Sequence, residues 1–172
     1  MLIAGTGRRI LITITGFTIA HSITLALSAL GVVRVPIPAV EAAIALSIIF
    51  LAVEIVRGDP NSLTYRYPIA VSSSFGLLHG FGFAAVLGET GLPQTEIPAA
   101  LLFFNVGVEL GQILFVAAVI AVYQLIRFVG RTFVDRDLSI DALRPLQTPA
   151  AYAVGILASF WMIQRVATFW TT

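Results

Sequence analysis

Five long apolar runs divide this chain, and they constrain its fold more than any other feature. They are Ile10–Gly31, Pro36–Val56, Pro68–Leu87, Ile97–Phe128 and Thr148–Trp170. A helix needs about 20 apolar residues to cross the ~30 Å hydrocarbon core of a bilayer, so each run is long enough to span. Inside that core every backbone N–H and C=O must be bonded within its own segment, which selects helices. The chain is therefore expected to be all-α, a polytopic transmembrane helix bundle of five spans, forming one domain over residues 1–172. Composition agrees. Only 11% of residues are charged, against roughly 25% in a soluble domain, and so few charges cannot cover a globular surface. Lipid is thus the main solvent and partner.

The connectors Val32–Val35, Arg57–Tyr67, Gly88–Glu96 and Val129–Gln147 hold most of the Asp, Arg and Pro residues. Pro36, Pro68, Pro98 and Pro149 fall near expected helix starts, where a missing N–H does no harm. Arg8 and Arg9 before an apolar run suggest a signal peptide, but the run continues to Gly31, beyond the usual h-region of ~7–15 residues. A retained first helix is expected instead. Eight Arg (8, 9, 57, 66, 127, 131, 136 and 144) fall on the N-terminal side of the bundle and two (34 and 165) on the other. The positive-inside rule then puts the N-terminus in the cytoplasm, with Trp170 and Phe169 at the outer interface and Tyr65 and Tyr67 at the inner one. Asp135–Arg144 reads as a solvated mixed-charge loop. The net charge of +1 suggests no nucleic-acid partner, and the absence of Cys excludes disulfides, thiolate ligands and iron–sulfur clusters.

Ionisable groups at membrane depth are costly and tend to mark function. The chain has two histidines, His21 and His79, each in the middle of an apolar run, and Asn105, Glu109 and Gln112 lie in a third. At 1.5 Å per residue His21, His79 and Glu109 each lie ~16 Å from a bilayer edge, which is near the midplane. Asn105, Glu109 and Gln112 are spaced i, i+4, i+7 and share one helix stripe. Thr18, Ser22, Thr24 and Ser28 fall largely on the His21 side of the first helix. Ser72, Gly76, Gly80 and Ala84 form a small-residue stripe beside His79, and Gly107 and Gly111 offer a second close contact.

Three readings of this constellation stand. Two imidazoles and a carboxylate, with Asn105 and Gln112 as oxygen donors, suit a borderline divalent ion such as Ni²⁺ or Zn²⁺, or a proton site. The same residues also serve as a hydrogen-bond cluster that ties helices together. A bis-His haem on His21 and His79 is the least favoured, because two His do not distinguish haem from other sites. Glu41 and Glu54 near the two ends of the second span are outer candidate ligands. Their plainer readings are an acid near a helix start for Glu41 and an i, i+3 pair with Arg57 for Glu54. Phe75, Phe81 and Phe83 read as packing residues. No phosphate loop, nucleophile elbow or helical zinc-protease motif is present, so no enzyme activity is expected.

Four segments occur in order: GFTIAHSITLALSALG, VEAAIALSIIFLAVE, FGLLHGFGFA and LLFFNVGVELGQ. Together they carry His21, Glu41, Glu54, His79, Asn105, Glu109 and Gln112. Over about Arg8–Gln112 they resemble the HupE/UreJ family of hydrogenase- and urease-accessory membrane proteins, with a merely hydrophobic tail after. The resemblance implies a multi-pass protein of the bacterial inner membrane that handles nickel or a related metal. Family members generally begin with another helix bearing Gly-x-Asp-His, and many carry a periplasmic domain; neither precedes Arg8 in this sequence. The competing expectation is a non-catalytic subunit of a larger respiratory or photosynthetic membrane complex.

Overall fold

The computed structural model describes residues 7–89, 93, 95–133 and 140–169, without the side chains of 84–89, 131–133 and 140–144. Six helices follow one another: α1 Gly7–Ala29, α2 Ile37–Arg57, α3 Leu63–Arg66, α4 Pro68–Glu89, α5 Ile97–Phe133 and α6 Ile140–Thr168. No strand occurs among the described residues.

Local chemistry sets several of the boundaries. Pro36 precedes α2, and Pro38 lies in its first turn, where its missing N–H has no intrahelical partner to lose. Gly58 ends α2 in the left-handed conformation, with φ of 61°, and its N–H reaches the Glu54 carbonyl at 3.0 Å. That backbone geometry favours glycine. After α1, the N–H groups of Val32 and Val33 fold back onto the Leu27 carbonyl, closing a short turn into α2.

Several boundaries differ from the expected ones; α5, for example, runs to Phe133 rather than Phe128. The connector Arg57–Tyr67 contains the single-turn helix α3. The last helix starts at Ile140, so Pro149, expected near its start, lies inside it together with Pro145. Helices at membrane depth accommodate proline because neighbouring groups re-satisfy the freed carbonyl. Trp170 and most of the expected loop Asp135–Arg144 lie outside the described residues or side chains.

Over the described residues, four helices are long and apolar enough to cross a membrane: Gly7–Ala29, Ile37–Arg57, Ile97–Gly130 and Pro145–Thr168. The expected span Pro68–Leu87 coincides with α4, whose side chains are described only as far as Phe83. At 1.5 Å per residue α5 is ~55 Å long, well beyond the ~30 Å core.

The helices pack in a row, α5–α1–α4–α2–α6, with the tightest pairings α1 on α4 and α2 on α6. Close approach of α1 and α4 comes from two glycines. A Cβ at Gly76 would land on the Phe17 carbonyl oxygen, and one at Gly80 on the His21 carbonyl and Thr24 Oγ1. Thr18, Ala20, His21, Thr24 and Leu25 are buried along α1 as a result. Gly107 and Gly111 were expected to make a second close contact. Instead, a Cβ at either would meet nothing within 4 Å. They sit on the outward face of α5 beside the exposed Phe103, Leu110, Leu114 and Phe115. Together with Leu157 and Phe160 of α6, these side chains form the apolar exterior that a lipid environment requires.

Candidate intramembrane polar site

The polar stripe of α5 faces α1. Asn105 Nδ2 donates to the Leu101 carbonyl at 2.8 Å, which turns Oδ1 toward His21. That oxygen lies 3.1 Å from His21 Nδ1, so the ring nitrogen donates. In the neutral imidazole Nδ1 then holds the proton and Nε2 keeps a lone pair. His79 is set in the same way by a different acceptor: its Nδ1 donates to the Phe75 carbonyl at 2.8 Å, one turn back on α4. Both histidines therefore have one ring nitrogen fixed by a hydrogen bond, and among the described residues the other has no hydrogen-bond partner, the arrangement that orients metal-ligating imidazoles.

Further along the α1–α5 seam, Thr15 Oγ1 donates to Glu109 Oε1 at 2.8 Å. Six residues separate Thr15 from His21, ~9 Å along the helix axis. Asn105 is thus the α5 residue level with His21, and Glu109 lies nearer the start of α1. Gln112, next on the stripe, has its Oε1 buried without a hydrogen-bond partner. An orphaned buried acceptor is costly, at about 1–3 kcal/mol.

Aromatic rings enclose the histidines. His21 is stacked between Phe17, at 5.9 Å and 16°, and Phe104, at 6.1 Å and 22°, and Phe83 meets its edge at 5.5 Å. Phe17 also contacts the His79 ring at 5.5 Å. One phenyl ring therefore bridges the two imidazoles, and Phe83, read from sequence as a packing residue, packs on His21 itself. The hydroxyls of Thr18, Ser22 and Thr24 bond to carbonyls of their own helix and supply no donor to the seam.

Glu41 and Glu54 lie elsewhere. Thirteen residues apart on α2, they are ~20 Å from one another. Glu41 Oε2 is 3.1 Å from Arg165 Nε, an ion pair by proximity without hydrogen-bond alignment. It ties α2 to α6. Glu54 is buried and accepts from the backbone N–H of Leu63 at 3.2 Å and of Thr64 at 3.0 Å. It caps α3 from a distance instead of pairing with Arg57. Among the described residues no three His, Asp or Glu side chains converge as a cluster. The candidate donors are instead spread out: His21 and Asn105 share one level of the α1–α5 seam, Glu109 lies beside Thr15 about 9 Å away along it, and His79 is on α4. As residue types, imidazole nitrogens with carboxylate and amide oxygens suit a borderline divalent cation.

Sequence reasoning missed three participants. Thr15 was visible only as one of many α1 hydroxyls. Phe17 and Phe104 carry no mark that separates them from other apolar residues.

A family model described as HupE / UreJ protein matches residues 1–165. The match runs past Gln112 and through most of α6, so it includes the hydrophobic tail beyond the four segments. No curated protein and no solved structure matches the chain.

Proposed function

The chain belongs to the HupE/UreJ family, and on that premise we propose that this multi-pass membrane protein binds and conducts a divalent metal cation, nickel foremost. The cation is cargo, held transiently by His21 and His79 through Nε2 and by Glu109, with Asn105 and Gln112 assisting. Five spans, α4 included, cross the bacterial inner membrane with the N-terminus in the cytoplasm, following the distribution of Arg. Glu41 serves the outer end of the route, released from Arg165 as the ion passes, whereas Glu54, with both oxygens engaged by α3 amides, takes a structural role at the inner end.

One observation carries the reading: each imidazole donates through Nδ1 to a protein acceptor and keeps Nε2 for a ligand, inside a membrane-embedded bundle. The orphaned Gln112 Oε1 supports it, since a passing cation or its water would satisfy that atom. Phe17, in contact with both rings, separates the two half-sites. An ion moving between them passes its edge.

Nickel accumulation in a strain lacking other nickel importers tests the proposal. His79→Ala and His21→Ala each lower uptake at least severalfold while membrane levels hold. Unchanged uptake in both variants eliminates conduction.

A second reading treats the polar seam as helix glue in a non-catalytic subunit of a larger membrane complex. It is favoured by the mutual satisfaction of His21 with Asn105 and of Thr15 with Glu109, which needs no ion. Purification in mild detergent separates the two: stable co-purification of redox partners supports the subunit, and migration near the chain's own mass counts against it.

A further inference from the structure

A groove of about 360 Å³ runs between α2 and α6, well away from the polar seam. Ala52, Ala151 and Gly155 form its floor. A Cβ at Gly155 would come within 3.2 Å of Ala52 Cβ, so the helices approach closely there and larger residues stand to either side. Val53, Tyr152 and Ile156 make the walls and are exposed. Arg57 lines one end, in the last turn of α2.

The groove has a defined polarity and length. From Ile49 to Arg57 it follows eight residues of α2, ~12 Å, close to the ~15 Å depth of one leaflet. Below Arg57 its lining is apolar except for Tyr152 and Ser159. Among the described residues the Arg57 charge has no carboxylate partner. Glu54 spends both carboxylate oxygens on α3 backbone N–H groups, and Asp59 Oδ1 accepts from the Asn61 N–H. A cation at the mouth of a leaflet-deep apolar slot matches an anionic headgroup above a hydrocarbon chain.

We infer that the α2–α6 groove is a binding site for one anionic phospholipid, its phosphate on Arg57 with the Tyr152 hydroxyl beside it, and one acyl chain along Ala52, Ala151 and Gly155. The guanidinium holds the phosphate through parallel N–H donors, and basic pockets between spanning helices are where acidic lipids are retained. The site stands apart from cation conduction and depends only on the chain lying in a membrane.

The test is native mass spectrometry of the full chain in mild detergent with equal amounts of phosphatidylglycerol and phosphatidylcholine. One basic residue near the headgroups corresponds to roughly a fivefold preference. The wild type therefore retains phosphatidylglycerol about fivefold over phosphatidylcholine. Arg57→Gln, at an exposed helix end, binds both alike. Val53→Trp, which fills the groove from an exposed wall position, loses both while circular dichroism stays helical. Equal retention by the wild type, or an unchanged preference in Arg57→Gln, overturns the inference. So does a dimer that Val53→Trp abolishes, since the occupant is then a second copy. If Val53→Trp fails to fold, the Arg57→Gln comparison alone decides.

Discussion

Replacing Gly80 by alanine tests whether α1 and α4 are as closely pressed as described. The new methyl would meet Thr24 Oγ1, the His21 carbonyl oxygen and the Leu25 amide nitrogen, the last at 2.9 Å. Two of those three atoms are backbone, so a rotamer change at Thr24 does not relieve the clash. Overpacking of this kind costs about 1–3 kcal/mol. Against it stands the gain in helix propensity, about 1 kcal/mol for Gly→Ala. The net expectation is a loss of up to ~2 kcal/mol, or a fall of up to roughly 8 °C in Tm for a chain of this length. Gly107→Ala is the control. Its methyl enters open space, so only the propensity term acts and Tm stays level or rises. Thermal unfolding in one detergent, followed by circular dichroism, compares the two. Thr24→Ala in the Gly80→Ala background recovers only part of the loss. If Gly80→Ala is as stable as Gly107→Ala, the two helices are not in contact at this point, and the relative placement of His21 and His79 fails with it.

Other substitutions probe separate parts of the structure. Glu54→Ala removes the acceptor for two α3 amides and lowers stability by about 2–4 kcal/mol; limited proteolysis reports the loss as new cleavage near residues 59–66. Asn105→Leu leaves His21 Nδ1 without its acceptor and lowers nickel uptake, whereas Asn105→Asp, which keeps an acceptor, retains most of it. Thr15→Val takes the donor from Glu109, weakens nickel binding by equilibrium dialysis and lowers stability by about 1–3 kcal/mol. A double-mutant cycle of Glu41→Gln with Arg165→Gln gives a coupling of ~0.2–1 kcal/mol, because both side chains are partly exposed.

The legible part of the fold followed from run length. Twenty apolar residues in a row demand a helix in lipid, and Pro36 and Pro68 punctuate the runs by backbone chemistry. At the seam, the i, i+4, i+7 spacing of Asn105, Glu109 and Gln112 correctly put them on one face of α5. What the face meets was not legible. Helices that are apolar all round carry little directional signal, so Gly107 and Gly111 read as a packing motif although they face outward. Which helices neighbour each other was equally hidden, and with it the pairing of Glu109 with Thr15 and of Asn105 with His21. Glu54 illustrates a third limit. Its nearest basic residue in sequence is Arg57, but the chain folds back at Gly58 and offers amides of Leu63 and Thr64 instead. The extra helical length before Pro149 was missed because two prolines normally argue against a helix. At the sixth and tenth positions of α6 they lie past the first turn, where proline is ordinarily excluded.

The account rests on imidazole nitrogens that are free to take a ligand within the bundle. X-ray absorption at the nickel edge on the purified, nickel-loaded chain measures this directly. Imidazole scattering around the metal is expected, reduced in His79→Ala and absent when His21 and His79 are both replaced by alanine. A spectrum without imidazole, or one unchanged in the double variant, would contradict the claim that these two side chains carry the ion.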